Sequence, residues 1–137
     1  MKNLKTISLA ILCLGFLLNC KPGEERTLRY EDGAIKAKGY VKQDAQGNYV
    51  RTGDWVIYHE SGQKKAEGRY SEGHENGKRG KTDVLIDGRQ GKWTFWHENG
   101  MKSQEGNFKD GKIEGKDTYW YENGQKQFEI NYKNGKK

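Results

Sequence analysis

Beyond its first 19 positions this chain has almost no aliphatic filler. Of the 118 residues that follow (137 − 19), only 12 are Val, Ile, Leu or Met, too few for the two-layer core of a doubly wound or barrel enzyme. Proline occurs once and cysteine twice, at Cys13 and Cys20, which leaves no disulfide framework and no cysteine-rich zinc site. There is no strong excess of one charge either. The 25 Lys+Arg and 19 Asp+Glu give +6, and without Lys2 and Lys5 the remainder carries 23 − 19 = +4. Both signs are interspersed, which suits a soluble surface and argues against a nucleic-acid-binding stripe. What the same 118 residues do hold is 18 glycines and 15 aromatic rings, within a length that allows one domain.

The apolar residues missing from the body are concentrated at the start. Ile7 to Leu18 is an apolar run behind Lys2 and Lys5, too short to span a bilayer as a helix. It reads as a secretory signal over residues 1–19. Leu17-Leu18-Asn19-Cys20 resembles the lipobox of bacterial lipoproteins, with Asn19 where a smaller residue is commoner. The resemblance implies lipidation of the Cys20 thiol, cleavage before it, and a diacylglyceryl group with an amide-linked palmitate-type chain. More than one acyl chain makes anchoring stable, so the expected partner is a membrane and the expected location the cell envelope, at the periplasmic or surface face of the outer membrane. Residues 20–27 are expected to be the lipidated cysteine and a hydrated tether, and 28–137 the folded domain.

That domain repeats itself. Gly53-Asp54-Trp55-Val56-Ile57-Tyr58-His59-Glu60-Ser61-Gly62 recurs as Gly91-Lys92-Trp93-Thr94-Phe95-Trp96-His97-Glu98-Asn99-Gly100, and again from Gly115 to Gly124. A degenerate first copy runs from Leu28 to Gly39. The turn glycines Gly33, Gly62, Gly100 and Gly124 close Glu-Asp-Gly, Glu-Ser-Gly or Glu-Asn-Gly steps, residues that tolerate positive φ in hairpin turns. Each copy is therefore expected to be a β-hairpin, since recurring glycine defeats a helix. Alternation places Trp93, Phe95 and His97 on one face, Trp55, Ile57 and His59 likewise, and Tyr58 and Trp96 on the other. Lys102, Gln104, Gly106 and Phe108 are expected to share a face on a return strand. Gly39, Gly68 and Gly106 leave room for a ring from a neighbouring strand.

The pattern Gly-x-Trp-x-x-aromatic-x-Glu-Asn-Gly, followed by Lys-x-x-Glu-Gly-x-aromatic, resembles the variant MORN repeat of bacterial proteins over about residues 28–135. The resemblance implies an all-β fold, an elongated single-layer antiparallel sheet of stacked hairpins. It also implies an interaction module, because related sequences are labelled antitoxin-like or lipoproteins. In the last copy Asp117 replaces the tryptophan and Ile130 the glycine, departures that suit a capping unit facing solvent.

Candidate chemistry dissolves on inspection. Gly80-Lys81-Thr82 lacks the upstream glycine of a phosphate-binding loop, since position 75 is Glu75. His59 and His97 stand where other copies have Tyr30 and Tyr121, which makes them members of a ladder, and His74 with Glu75 has no second ligand at zinc-like spacing. No metal, cofactor, nucleic acid or catalysis is expected. Glu60, Glu98 and Glu122 recur beside the turns, where they are expected to bridge Lys64, Lys102 and Lys126.

What remains is recognition, carried by exposed aromatic rows. The candidate binding residues are Tyr58, Trp96 and Trp120, with Lys78, Arg79 and Lys81 of the long insert between Ser71 and Gln90. Trp55, Gly62, Gly68, Trp93, Gly100, Gly106 and Gly124 are assigned to the repeat framework. Two outcomes are open for the insert: a binding loop dispensable to the fold, or an extra strand at Val84-Leu85-Ile86 that completes the sheet. The expected function is a non-enzymatic, membrane-anchored module that binds another protein. An antitoxin-like role against an exported toxin and a glycan- or lipid-binding role are the rivals.

Overall fold

The computed structural model describes residues 23–80 and 83–137. The signal segment, Cys20 and Lys81 lie outside the described residues. Eight strands follow one another, β1 (Glu24–Arg29), β2 (Ile35–Gln43), β3 (Tyr49–Tyr58), β4 (Lys64–His74), β5 (Arg89–Trp96), β6 (Lys102–Lys109), β7 (Lys112–Trp120) and β8 (Lys126–Tyr132). They form one open sheet in the order β1 to β8, every pair antiparallel. The fold is all-β and a hairpin per copy, as the repeat implies. It begins earlier than expected, because Glu24 to Thr27 belong to β1 and not to a tether. Arg26 stacks on Tyr49 at 4.9 Å and Leu28 packs against the core, which orders the segment.

The turns work differently from the expectation. Gly62 and Gly100 take φ of +83°, but the residue before each glycine does not. His59 N–H donates to the Gln63 carbonyl and Gly62 N–H to the His59 carbonyl, at 2.8 and 2.9 Å. This is the three-residue loop of a type I turn closed by one left-handed glycine. Asn99 and Asn123 serve through their side chains, whose Oδ1 atoms each accept the backbone N–H two residues on, from Met101 and Gln125, at 2.9 Å.

Inside the sheet the tryptophans lie over glycines of the preceding copy. A Cβ built on Gly39 or on Gly68 would overlap ring carbons of Trp55 or Trp93. Tyr70 stands edge-on between the two indoles, its ring centroid 6.3 Å from Trp55 and 4.8 Å from Trp93. Two buried arginines complete the stack. Arg51 lies 4.3 Å over Trp55 and grips Glu75 with two hydrogen bonds of 2.6 and 3.1 Å. Arg89 lies 4.7 Å over Trp93 and 5.0 Å over both Phe95 and Phe108. Aromatic faces and guanidinium planes thus replace the missing aliphatics.

The insert closes this inner face. It is not a strand of the sheet: among the described residues its ladder contact is the isolated bridge Arg79↔Leu85, and its apolar residues pack inward where a detached binding loop would leave them free. Val84 and Leu85 are buried among the core side chains. The Leu85 carbonyl accepts from Tyr70 Oη and Arg89 Nε, both at 2.7 Å, and the Val84 carbonyl accepts from Arg89 Nη2 at 2.9 Å. Among the described residues Arg89 has no carboxylate as a hydrogen-bond partner, so backbone carbonyls and ring faces carry its charge. Burial lowers its pKa, against an opposing effect of Tyr70.

Candidate functional site

The side chains that alternate with the core residues form the outer face, opposite the one on which the insert packs. Tyr58, Trp96 and Trp120 hold the same place in successive copies and are half-buried there. Consecutive members stand two strands apart, roughly 10 Å. Lys64 Nζ sits 5.1 Å above the Trp96 ring and Lys102 Nζ 5.2 Å above that of Trp120. These lysines reach the outer face because of a bulge in each hairpin. Trp96 pairs with Lys102 while Phe95 pairs with Gln104, so Ser103 is an extra residue and Lys102 turns away from Gln104, Gly106 and Phe108. The shared face expected for those four is thereby corrected.

The ion pairs are corrected as well. Lys64, Lys102 and Lys126 bond to Glu67, Glu105 and Glu129, at 2.7, 2.7 and 2.5 Å, not to the turn glutamates. The bulge points each lysine along its own strand, three residues on. Lys102 and Lys92 hold the Glu105 carboxyl below its ordinary pKa, and Lys126 and Lys116 do the same for Glu129. Lys64 and Lys102 each form a rung, sharing their ammonium between a carboxylate and the next copy's indole. Beside the rungs runs a groove of about 790 Å³ lined by Asp54, Val56, Glu67, Arg69, Lys92 and Thr94 among others. Arg69 and Gln90 connect it to a second hollow of about 500 Å³ that reaches Tyr40 and Lys42.

The remaining candidates lie elsewhere. Lys78 and Arg79 are exposed but belong to the loop over the inner face, so the structure does not join them to the aromatic row. Arg79 braces that loop, donating to the Asp83 carbonyl at 3.2 Å and standing 3.7 Å from a Glu75 oxygen. Gly62, Gly100 and Gly124 close the turns, and Gly68 and Gly106 lie under the next copy. His59 and His97 spend their Nε2–H on the carbonyls of Trp96 and Trp120, at 3.0 and 2.9 Å, and Tyr30 Oη does the same to Tyr58 at 2.7 Å. The ladder is therefore a row of copy-to-copy hydrogen bonds. Arg51 and Arg89 were missed as core residues, although Arg-x-Gly-x-Trp occurs at both Arg51–Trp55 and Arg89–Trp93.

Asp117 itself departs from the capping expectation. It is fully buried (0% exposed) instead of facing solvent. Gln104 Nε2 donates to both its oxygens, at 3.0 and 3.1 Å, and to Tyr119 Oη at 3.1 Å. Burial raises the Asp117 pKa, partly opposed by the hydrogen bonds from Tyr119 and Gln104. A carboxyl with a raised folded-state pKa binds its proton more readily in the fold. Its contribution is therefore fully present below the unfolded value near 3.8 and is lost as pH rises through the folded value. Asp117→Asn is expected to raise the melting temperature at neutral pH and to bring no gain below about pH 4, when melts of both proteins are compared across pH. An equal shift at every pH would remove ionisation as the cause.

Residues 51–72, 89–110 and 113–134 each match the MORN repeat variant. The three matches coincide with the hairpins β3–β4, β5–β6 and β7–β8, two of them opening on the core arginines. No curated protein and no solved structure matches the chain.

Proposed function

We propose that this chain, built on three MORN repeat variants, is a lipoprotein of the cell envelope, tethered through Cys20, whose outer face binds another protein. MORN repeats are non-catalytic modules that generally bind proteins or membranes. The observation that carries the reading is the asymmetry of the sheet. The loop packs against the stacked rings of the inner face, while Trp96 and Trp120 stay half-buried on the outer face, which also carries an open groove over β3 to β5. Tryptophans part-desolvated and fixed by a neighbouring charge have the character of interface hot spots, each worth about 2 kcal/mol or more on truncation.

Both halves of the proposal have a test. Cys20→Ala is expected to release the chain from the membrane fraction and to change its mass by the loss of the acyl groups. Retention after alkaline washing, with unchanged mass, refutes the anchor. Trp96→Ala with Trp120→Ala is expected to cut the capture of crosslinked envelope proteins by about 30-fold or more while the chain still melts cooperatively. Unchanged capture refutes the outer face. Neither half depends on the other.

A further inference from the structure

The copy-to-copy contacts follow one rule, and the last hairpin obeys half of it. Three times, a residue beside the turn donates to a backbone carbonyl of the next copy: Tyr30 to Tyr58, His59 to Trp96 and His97 to Trp120, at 2.7, 3.0 and 2.9 Å. Twice, the lysine after the turn covers the next copy's indole, Lys64 over Trp96 and Lys102 over Trp120. The fourth set of these groups is Tyr121, Lys126 and Phe128. Tyr121 is 49% exposed and Phe128 42%, and β8 pairs with β7 alone in the sheet order. Among the described residues no ring or carbonyl of a further copy meets them. Phe128 is already ordered, stacked 4.5 Å from Tyr119, and Lys126 is already held by Glu129.

We propose that the free edge of β8 is a strand-docking site that takes an extended segment of another protein bearing a threonine-aromatic-tryptophan run. The internal interfaces define that run. Glu67 pairs with Thr94 and Glu105 with Thr118, so Glu129 calls for threonine opposite. Ala66 pairs with Phe95 and Gln104 with Tyr119, which places an aromatic opposite Phe128. The next residue supplies the ring for Lys126 and the carbonyl for Tyr121. Ile130 stands where internal copies have Gly68 and Gly106, so the residue two before the first aromatic must be smaller than tryptophan. The β1 edge of a second copy does not fit. It would bring Arg29 to the indole position, against Lys126, and Arg26 onto Ile130, and facing like charges disfavour pairing. Backbone hydrogen bonds supply the affinity and the alternate side chains the selectivity, as in strand addition generally. This edge is a different surface from the outer-face groove, and loss of one leaves the other intact.

The test uses the full chain and a fluorescein-labelled peptide with the sequence of residues 113–121 carrying Asp117→Val. Anisotropy is expected to saturate at one peptide per chain. Replacing the peptide's Tyr-Trp by Ser-Ser is expected to weaken binding at least about tenfold. Methylating the amides that face β8 is expected to abolish it, while methylating the alternate amides leaves it unchanged. Lys126→Glu is expected to weaken it about fivefold or more, with Trp96→Ala unaffected. No saturation at about 1 mM peptide, equal effects of the two methylation sets, or indifference to Lys126→Glu overturns the proposal. A dimer in sedimentation that the peptide disperses makes a second copy the occupant and overturns it too.

Discussion

Deleting residues 77–86, so that β4 joins β5 through a short spacer, is expected to abolish cooperative unfolding. Loop length alone predicts the opposite, since closing a longer loop costs only about 0.6 kcal/mol per doubling and trimming one is then nearly neutral. The contacts decide the matter. The deletion removes Val84 and Leu85 from the core and strips Tyr70 and Arg89 of their carbonyl acceptors. Losing a buried leucine side chain costs about 2–5 kcal/mol, and leaving a buried charge uncompensated costs about 3–5 kcal/mol. Together these match the whole stability of a small domain, about 5–15 kcal/mol. Near-ultraviolet circular dichroism during a thermal melt reads the result, and an unchanged transition would place the loop outside the core. The milder Leu85→Ala keeps both carbonyls and is expected to lose only the burial contribution.

Gly68→Ala is expected to destabilise the protein about as much as Trp93→Ala, by about 3–5 kcal/mol each. In an ordinary strand the same glycine-to-alanine change stabilises by about 0.5–1 kcal/mol. Here the new methyl would occupy the space of the Trp93 ring, and neither the strand nor an indole packed against Tyr70, Phe95 and Arg89 has room to yield. Because both substitutions remove one contact, the double variant should lose little more than either single one, leaving a coupling nearly as large as one single loss, about 3 kcal/mol or more. Denaturant titrations of the four proteins measure this directly. Additive losses would mean that ring and glycine are independent.

Much of this arrangement was legible because it repeats. The hairpins, the ring-over-glycine contact and the separation of Trp55 and Trp93 from Tyr58 and Trp96 all follow from period-two alternation in a 24-residue unit. What was not legible departs from that regularity in physically definable ways. Ser103 is one residue too many for its partner strand, and no composition rule marks such a bulge, yet it decides where Lys102 points. Arg51 and Arg89 look like surface residues until the ring faces that absorb their charge are assembled from strands far apart in sequence. Asp117 looks like solvent's end of the stack, and only its contacts to Gln104 and Tyr119 show it shut inside. The insert occurs once, so no second copy was there to compare it with. Of the candidate binding residues, Tyr58, Trp96 and Trp120 share a face, whereas Lys78 and Arg79 lie in the loop on the opposite side of the sheet.

The strictly sequential strand order has a dynamic consequence. Each strand pairs only with its neighbours along the chain, so opening at either edge breaks one ladder and strands nothing in the middle. Opening is therefore expected to proceed as fraying from both ends, with the cost of exposing each hairpin rising toward the segment where β3, β4 and β5 are locked by Arg51, Tyr70 and Arg89. Amide protons in β8 would exchange first and those around Tyr70 last, a gradient set by position in the row more than by the local strength of any single hydrogen bond.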